Sequence, residues 1–422
     1  MHILKGYTKQ EISWMMYDWA NSAHSVIIVT LLPIFFDTVA GYTADSVSSM
    51  STWGYATSIA MLIVALAAPF LGVFGDIRGM RKKLFSFFML LGVAACAGMA
   101  FTPGMDFTSG PVAAGKVASL ILVLYIVSVI GFDASAIYYD AFLTDVTTEE
   151  RMDKVSTMGY GLGYIGGSTI PLLIFLIMNL VGVPMLTCLA FVFGLTAVWW
   201  LAFSLPLLKN CEQTSGKPYE KGDVARSMKG VGTTIKEIIA NKPMLIYILS
   251  YFFYIDGVHT VIKMSTSYGT DLGIDSTQLV LALLVTQFVA FPSAIAYGRL
   301  SERFGTKRML LIAVFAYFCI TLFAAFFLRS ALEFWILAIC VGLFQGGIQA
   351  LSRSEFGKLI PKDNANEYYG FFDIFGKYAA VMGTFLVSVF TQLTGNPSIG
   401  VLSIAVLFLV GFVLLVRMPE KE

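Results

Sequence analysis

The sequence predicts an all-α membrane protein of twelve transmembrane helices, arranged as two pseudo-symmetric six-helix bundles. Three observations lead there. The chain of 422 residues is 57% hydrophobic and only 13% charged. Its apolar residues gather into stretches of spanning length, and its two halves repeat one loop motif. A helix needs roughly 20 mainly apolar residues to cross a bilayer, and a mean hydropathy of +0.77 is far from that of a soluble globular chain. Disordered, collagen-like and nucleic-acid-reading chains are excluded by the same composition. A net charge of +1 gives no reason to expect nucleic acid or another polyanion as a partner.

In chain order the spans fall near 15–36, 53–74, 84–102, 117–141, 156–178 and 186–207, then near 244–268, 278–297, 309–328, 334–354, 370–391 and 398–417. The first follows two lysines in MHILKGYTKQEISW, but it is too long for a signal-peptide core and carries Asp18 and Asn21, so it reads as an uncleaved span. No stretch alternates apolar and polar residues as a barrel strand does. Between the sixth and seventh spans the composition turns polar. The expected organisation is therefore an N-terminal bundle over 1–207, a linker over 208–243 and a C-terminal bundle over 244–422. Within the linker Val224, Met228, Val231, Ile235 and Ile238 recur at helical spacing beside Arg226, Lys229 and Lys236, the pattern of an amphipathic helix lying on a membrane surface.

Twelve spans place both termini and the linker on one side, where 24 of the 28 Lys and Arg residues then lie. Basic loops stay in the cytoplasm, so both termini are expected there, in a bacterial inner membrane. The five cysteines, Cys96, Cys188, Cys211, Cys319 and Cys340, are far apart and form neither a disulfide framework nor a zinc set. No metal and no cofactor is expected, and a monomer in the lipid bilayer is.

The repeat is specific. Gly72-Val-Phe-Gly-Asp76-Ile-Arg78-Gly79-Met-Arg81-Lys82 follows the second span and Gly298-Arg-Leu-Ser-Glu302-Arg303-Phe-Gly305-Thr-Lys307-Arg308 follows the eighth, 226 residues later. Both read G-x-x-x-[DE]-x-x-G-x-[KR]-[KR]. A second echo sets Ala23-His24-Ser25-Val26-Ile27 against Val258-His259-Thr260-Val261-Ile262. Parallel repeats imply two similar halves related by an axis normal to the membrane, with a pathway between them.

With six plus six spans, this doubled loop resembles the major facilitator superfamily across essentially the whole chain. Ile77 departs from the basic residue usual at its place, whereas Arg303 keeps it. Tyr17-Asp18-Trp19-Ala20-Asn21-Ser22-Ala23 in the first span resembles the signature of the vacuole-effluxer-like family, which includes the yeast autophagy-related vacuolar amino acid exporter. The resemblance implies the major facilitator fold and no enzymatic activity. It implies transport of a small polar or zwitterionic organic solute, amino acid-like, by alternating access as the two halves rock. It also implies that the repeated loops act as a cytoplasmic latch.

Ionisable residues inside a span are functional candidates because burying charge in a bilayer is costly. At about 100° per residue, Trp14, Tyr17, Asp18 and His24 lie within about 60° of Asn21 on the first span, and His259, Thr260 and Lys263 within about 60° of Asp256 on the seventh. Asp133, Gln287, Gln345, Gln349, Asp373 and Lys377 extend the set of substrate or proton-pathway candidates, although Asp373 and Lys377, four apart, can neutralise each other. Buried carboxylates are natural proton carriers, so proton coupling is an expectation. For the latch, Asp76 and Glu302 are expected to accept bonds from helix N-terminal N–H groups. Arg81 and Lys307 are expected to pair with carboxylates such as Asp140 or Glu355.

Two further signals carry little. Gly159, Gly163 and Gly167, spaced by four, read as a close-packing helix face. Gly110 to Lys116 fits a phosphate-loop pattern but lacks the Ser/Thr after the lysine and a preceding strand. The rival readings are an exporter or flippase of lipid-linked molecules and a non-transporting sensor or scaffold.

Overall fold

Apolar helices form wherever the sequence supplies enough length, because a backbone in lipid must satisfy its own hydrogen bonds. The computed structural model describes residues 4–43, 49–218, 232 and 234–419, side chains at 49–51, 266–267, 270–271, 276–277, 280 and 377–381 excepted. Among the described residues eleven helical stretches are long and apolar enough to cross a membrane, and a shorter apolar one, Met382–Thr394, completes the helix Ala365–Thr394. The one extended pairing there is an isolated bridge between Ile77 and Lys217.

The helices are α1 (Lys9–Ala40), α2 (Ser49–Gly75), α3 (Arg81–Met99), α4 (Pro111–Val146), α5 (Met152–Gly163), α6 (Ile170–Leu180), α7 (Met185–Asn210), α8 (Lys242–Asp271), α9 (Ser276–Phe304), α10 (Thr306–Phe327), α11 (Ala331–Leu359), α12 (Ala365–Thr394) and α13 (Pro397–Arg417). A capping box starts α1: Thr8 Oγ1 accepts from the Glu11 amide at 3.1 Å, and Glu11 Oε2 accepts from the Thr8 amide at 2.8 Å, satisfying two otherwise orphaned donors. The amphipathic helix expected over the linker falls mostly outside the described residues; 234–240 are helical.

The chain folds as two compact units. One holds Met1–Val146 and Leu162–Tyr219, the other Thr147–Gly161 and Glu220–Glu422. The fifth span is thus shared between them, and just after the boundary α5 and α6 are joined by a π-helical turn, Tyr164–Thr169. Pro171 brings no N–H to the ladder there, and Thr169 Oγ1 donates to the Tyr164 carbonyl at 2.7 Å.

Polarity runs opposite to that of a soluble protein. Leu66, Val198 and Phe385 are about two-thirds exposed, while Ser128, Asp256 and Thr260 are fully buried. In the first unit α3 and α4 approach until a Cβ on Gly131 would lie 2.5 Å from the Gly92 amide nitrogen, the small-residue packing that membrane helices use in place of a hydrophobic drive. The glycines of the fifth span act likewise. A Cβ on Gly166 would lie 2.1 Å from the Trp19 ring, and one on Gly167 would lie 2.5 Å from the Trp19 carbonyl.

Candidate functional site

In the first unit the polar face of α1 meets α4. Trp14 is fully buried, donates its indole N–H to the Tyr139 carbonyl at 2.8 Å and stacks on that ring at 4.5 Å. The Ser135 hydroxyl donates to the Phe132 carbonyl, so it accepts from Tyr17, 2.8 Å away. Ser128 donates to the Tyr125 carbonyl and in the same way accepts from His24 Nε2 at 3.2 Å. That assigns the proton to Nε2 and leaves Nδ1, buried and without a partner among the described residues, as an acceptor. The His24 ring is stacked on Phe132 at 4.7 Å and lies 5.3 Å from Trp200. Asp18 and Asn21, 7% and 9% exposed, lie on the same helix. Asp133 on α4 is half-buried.

The repeat-related face of the second unit is built differently. Asp256 of α8 is fully buried. Its Oδ1 accepts from the Gly383 amide of α12 at 2.8 Å and from Thr260 Oγ1 at 3.3 Å, whereas Oδ2 has no partner among the described residues. Only glycine permits that approach: a Cβ on residue 383 would lie 2.7 Å from Asp256 Oδ1 and 2.1 Å from Thr260 Oγ1. His259 lies against the backbone of Gly376 on the same neighbouring helix. Both span histidines are therefore engaged by a helix of their own unit. Lys263 is exposed, Gln349 and Asp373 are half-buried, and the Lys377 side chain lies outside the described residues. Gln345, 7% exposed, and Gln287 line one cavity in this unit.

The two loop motifs share one backbone feature and differ in length: five residues, 76–80, separate α2 from α3, whereas Gly305 alone separates α9 from α10. Gly79 and Gly305 have φ of +82° and +85°, a left-handed turn that only glycine adopts freely. The side chains of the two motifs have different neighbours. Arg81, fully buried, lies against Asp145 and 3.7 Å from Asp76; Asp145, not singled out in the sequence, is its close carboxylate. Glu302 lies 3.8 Å from Lys154 with its side chain 43% exposed. Arg303 stacks over Phe304 at 5.2 Å. Lys307 donates to the Met418 carbonyl at 2.6 Å, where it satisfies the C-terminal carbonyls of α13, and Glu355 lies 3.9 Å from Lys358.

Two polar clusters were missed by the sequence reading. Residues 211–218 run back over the first loop. Gln213 accepts from the amides of Gly79 and Arg81 at 2.8 and 3.2 Å and donates to the Gly75 carbonyl at 3.1 Å. Thr214 and Ser215 donate both amides and hydroxyls to Asp145 Oδ1. In the second unit Asp153 of α5 accepts from Lys358 Nζ and Ser354 Oγ, both at 2.6 Å, and from Thr306 Oγ1. Nearby, Arg353 donates through Nε to Ser156 Oγ at 3.0 Å and covers the Tyr160 ring at 4.3 Å. In the sequence these cations looked like loop charges that set topology, and only the packing of α5 on α11 shows that Arg353 is buried and Lys358 half-buried.

Among the described residues no group of three or more His, Cys, Asp or Glu side chains could hold a metal ion. A bundle of membrane-length helices that repeats one loop and one polar face defines a transporter of the major facilitator type. Over residues 7–422 the chain matches the family described as "Vacuole effluxer Atg22 like", and it belongs to that family. An uncharacterized MFS-type transporter of Bacillus subtilis, YxiO, is 44% identical over 427 residues, which cover 99% of this chain and 97% of that protein. Autophagy-related protein 22 of Cryptococcus neoformans is 26% identical over 291 residues, 64% of this chain and 51% of the fungal protein; the chain spans about half the length of such fungal relatives. Among solved structures, the major facilitator transporter FucP in its outward conformation is 14% identical with a TM-score of 0.73, covering 98% of this chain and 99% of that one. The proton:xylose symporter XylE is 12% identical with a TM-score of 0.74, covering 98% and 96%. The chain is thus an integral multi-pass membrane protein and an MFS-type transporter, and its family and fold are not those of enzymes.

Proposed function

We propose that this transporter moves a small polar or zwitterionic organic solute, amino acid-like, by alternating access and in exchange for or together with protons. The observation that carries the proposal is Asp256, a fully buried carboxylate with one oxygen lacking any partner among the described residues. An unpaired buried charge is so unfavourable that such a group gains by taking up a proton or a cationic substrate group. The matched family's description as effluxers supports export as the direction. On this reading bundles over 1–207 and 244–422 are joined by a linker over 208–243, both termini are cytoplasmic, and the monomer is the working unit. Asp18, Asn21, Asp133 and Lys263 complete the polar pathway, and the loops around Asp76 and Glu302 latch one conformation.

Counterflow in proteoliposomes, run against a panel of amino acids and related metabolites, tests the substrate class. An imposed pH gradient should drive accumulation in the parent, whereas Asp256→Asn should still exchange substrate but no longer concentrate it. Accumulation by Asp256→Asn at the parent's rate would overturn the coupling, and a panel with no counterflow substrate would overturn the solute class.

A further inference from the structure

The helical segment 234–240, at the end of the linker, has two unlike sides. One is fastened to the start of α12. Thr234 and Ile238 are buried there, Thr234 Oγ1 donates to Glu367 Oε1 at 2.5 Å, and the Tyr368 hydroxyl donates to Glu237 Oε2 at 3.0 Å. The other side is apolar and open. Ile235 and Ile239, about one helical turn apart, are 42% and 58% exposed. Ile238, which sequence spacing groups with Ile235, points inward, and Ile239 takes the outward place. Lys236 and Lys242, both exposed, follow the two isoleucines in the chain, and the segment's acid, Glu237, is engaged by Tyr368.

What covers the open side follows from its place in the chain. The membrane-length stretch of α8 starts at Lys242, and Asn241 Oδ1 caps that helix by accepting from the Met244 amide at 3.2 Å. From Ile239 to Lys242 the chain reaches at most roughly 10 Å, so Ile239 stays close to a headgroup layer that is itself roughly 5–8 Å thick. Together the two isoleucines expose about the surface of one such residue, far short of the roughly 800 Å² per partner of a stable protein interface. Lysines beside an apolar helix face suit anionic headgroups, and isoleucines suit the acyl boundary beneath them. We propose that the segment 234–240 docks on an anionic lipid bilayer, with Ile235 and Ile239 entering the acyl boundary and Lys236 and Lys242 meeting lipid phosphates. Thr234 and Glu237 hold it to α12 from the other side. This surface goes beyond the transport reading, since it uses neither Asp256 nor a substrate.

The test is nitroxide labelling of Ile235→Cys, Lys236→Cys and Ile239→Cys, one at a time, in the full-length protein in lipid nanodiscs, with the parent carried through the same labelling as the blank. Relaxation by oxygen, which concentrates in lipid, is compared with relaxation by a neutral nickel chelate, which stays in water. Oxygen should dominate at 235 and 239, and the chelate at 236. If one isoleucine variant folds poorly, the other supplies the measurement. Adding phosphatidylglycerol to phosphatidylcholine nanodiscs should raise the immersed fraction at 239. Lys236→Gln and Lys242→Gln should each take back about fivefold of that gain. Chelate dominance at both isoleucines would overturn the proposal in favour of a face bathed in water. Exclusion of both reagents would overturn it in favour of a face covered by protein, and immersion indifferent to phosphatidylglycerol would overturn the anionic surface.

Discussion

The two copies of the repeated loop, Gly72 to Lys82 and Gly298 to Arg308, differ in backbone and in surroundings: five residues separate α2 from α3, and Gly305 alone separates α9 from α10. Both turn at a left-handed glycine, Gly79 or Gly305. In the first copy the basic residue two positions on, Arg81, is fully buried against Asp145 and strapped over by Gln213. In the second copy the equivalent Lys307 reaches the end of α13, Glu302 stays at the surface, and the buried acid, Asp153, comes from α5. A motif therefore dictates where a glycine takes positive φ, but neither the length of the turn nor its electrostatic partners, which depend on the helix packed against it.

The widest difference between the copies should appear on removing each acid. Asp145→Ala leaves the buried Arg81 guanidinium with Asp76, 3.7 Å away, as its remaining carboxylate and should cost about 3 kcal/mol, measured by unfolding in mixed micelles, while Glu302→Gln should change stability by less than about 0.5 kcal/mol. Equal losses would mean that the two loops are electrostatically alike after all. Next in size is Asp153→Asn, which weakens charge-assisted bonds from Lys358 and removes none of the packing. A loss of about 2 kcal/mol is expected, and Lys358→Met in the same background should add little if the two act as one unit.

Gly79→Ala and Gly305→Ala test the positive φ common to both loops, and each should lose about 1–2 kcal/mol because L-residues resist it. A difference beyond about 1 kcal/mol between them would show that one turn relaxes where the other cannot. The smallest effect concerns the strap. Burial pushes the Cys211 thiol up to about 12, so at pH 8 little thiolate exists and alkylation of a variant with Cys211 as its sole cysteine should be slow, rising tenfold per pH unit. Gln213→Ala removes three bonds that hold the strap and should speed alkylation roughly tenfold at fixed pH. An unchanged rate would show that Cys211 is shielded by α1, through the Gln10 carbonyl 3.6 Å away, and not by the strap.

Helix positions were legible because span length is set by the bilayer; α1, α4 and α11 all begin within about two helical turns of where apolar character rises. The polar faces of the first and seventh spans were legible as faces, since helical periodicity groups Asp18 with Asn21 and Asp256 with Thr260. Their use was not. His24 and His259 sit at equivalent repeat positions, yet one meets a serine side chain on α4 and the other the backbone of Gly376. Periodicity says which residues share a face and nothing about what that face meets.

By itself, then, the sequence determined the class: a helical membrane chain with a duplicated loop, because apolar length is a local requirement. Tertiary structure decided the rest. It set the π-turn in the fifth span and the assignment of residues 147–161 to the second unit. It paired Arg81 with Asp145 and Lys358 with Asp153, and it gathered Gln287 and Gln345 around a cavity. Each of these depends on how close two helices come and at which residue they cross. That is set by small residues such as Gly131, Gly166 and Gly383 acting on a partner far away in the chain.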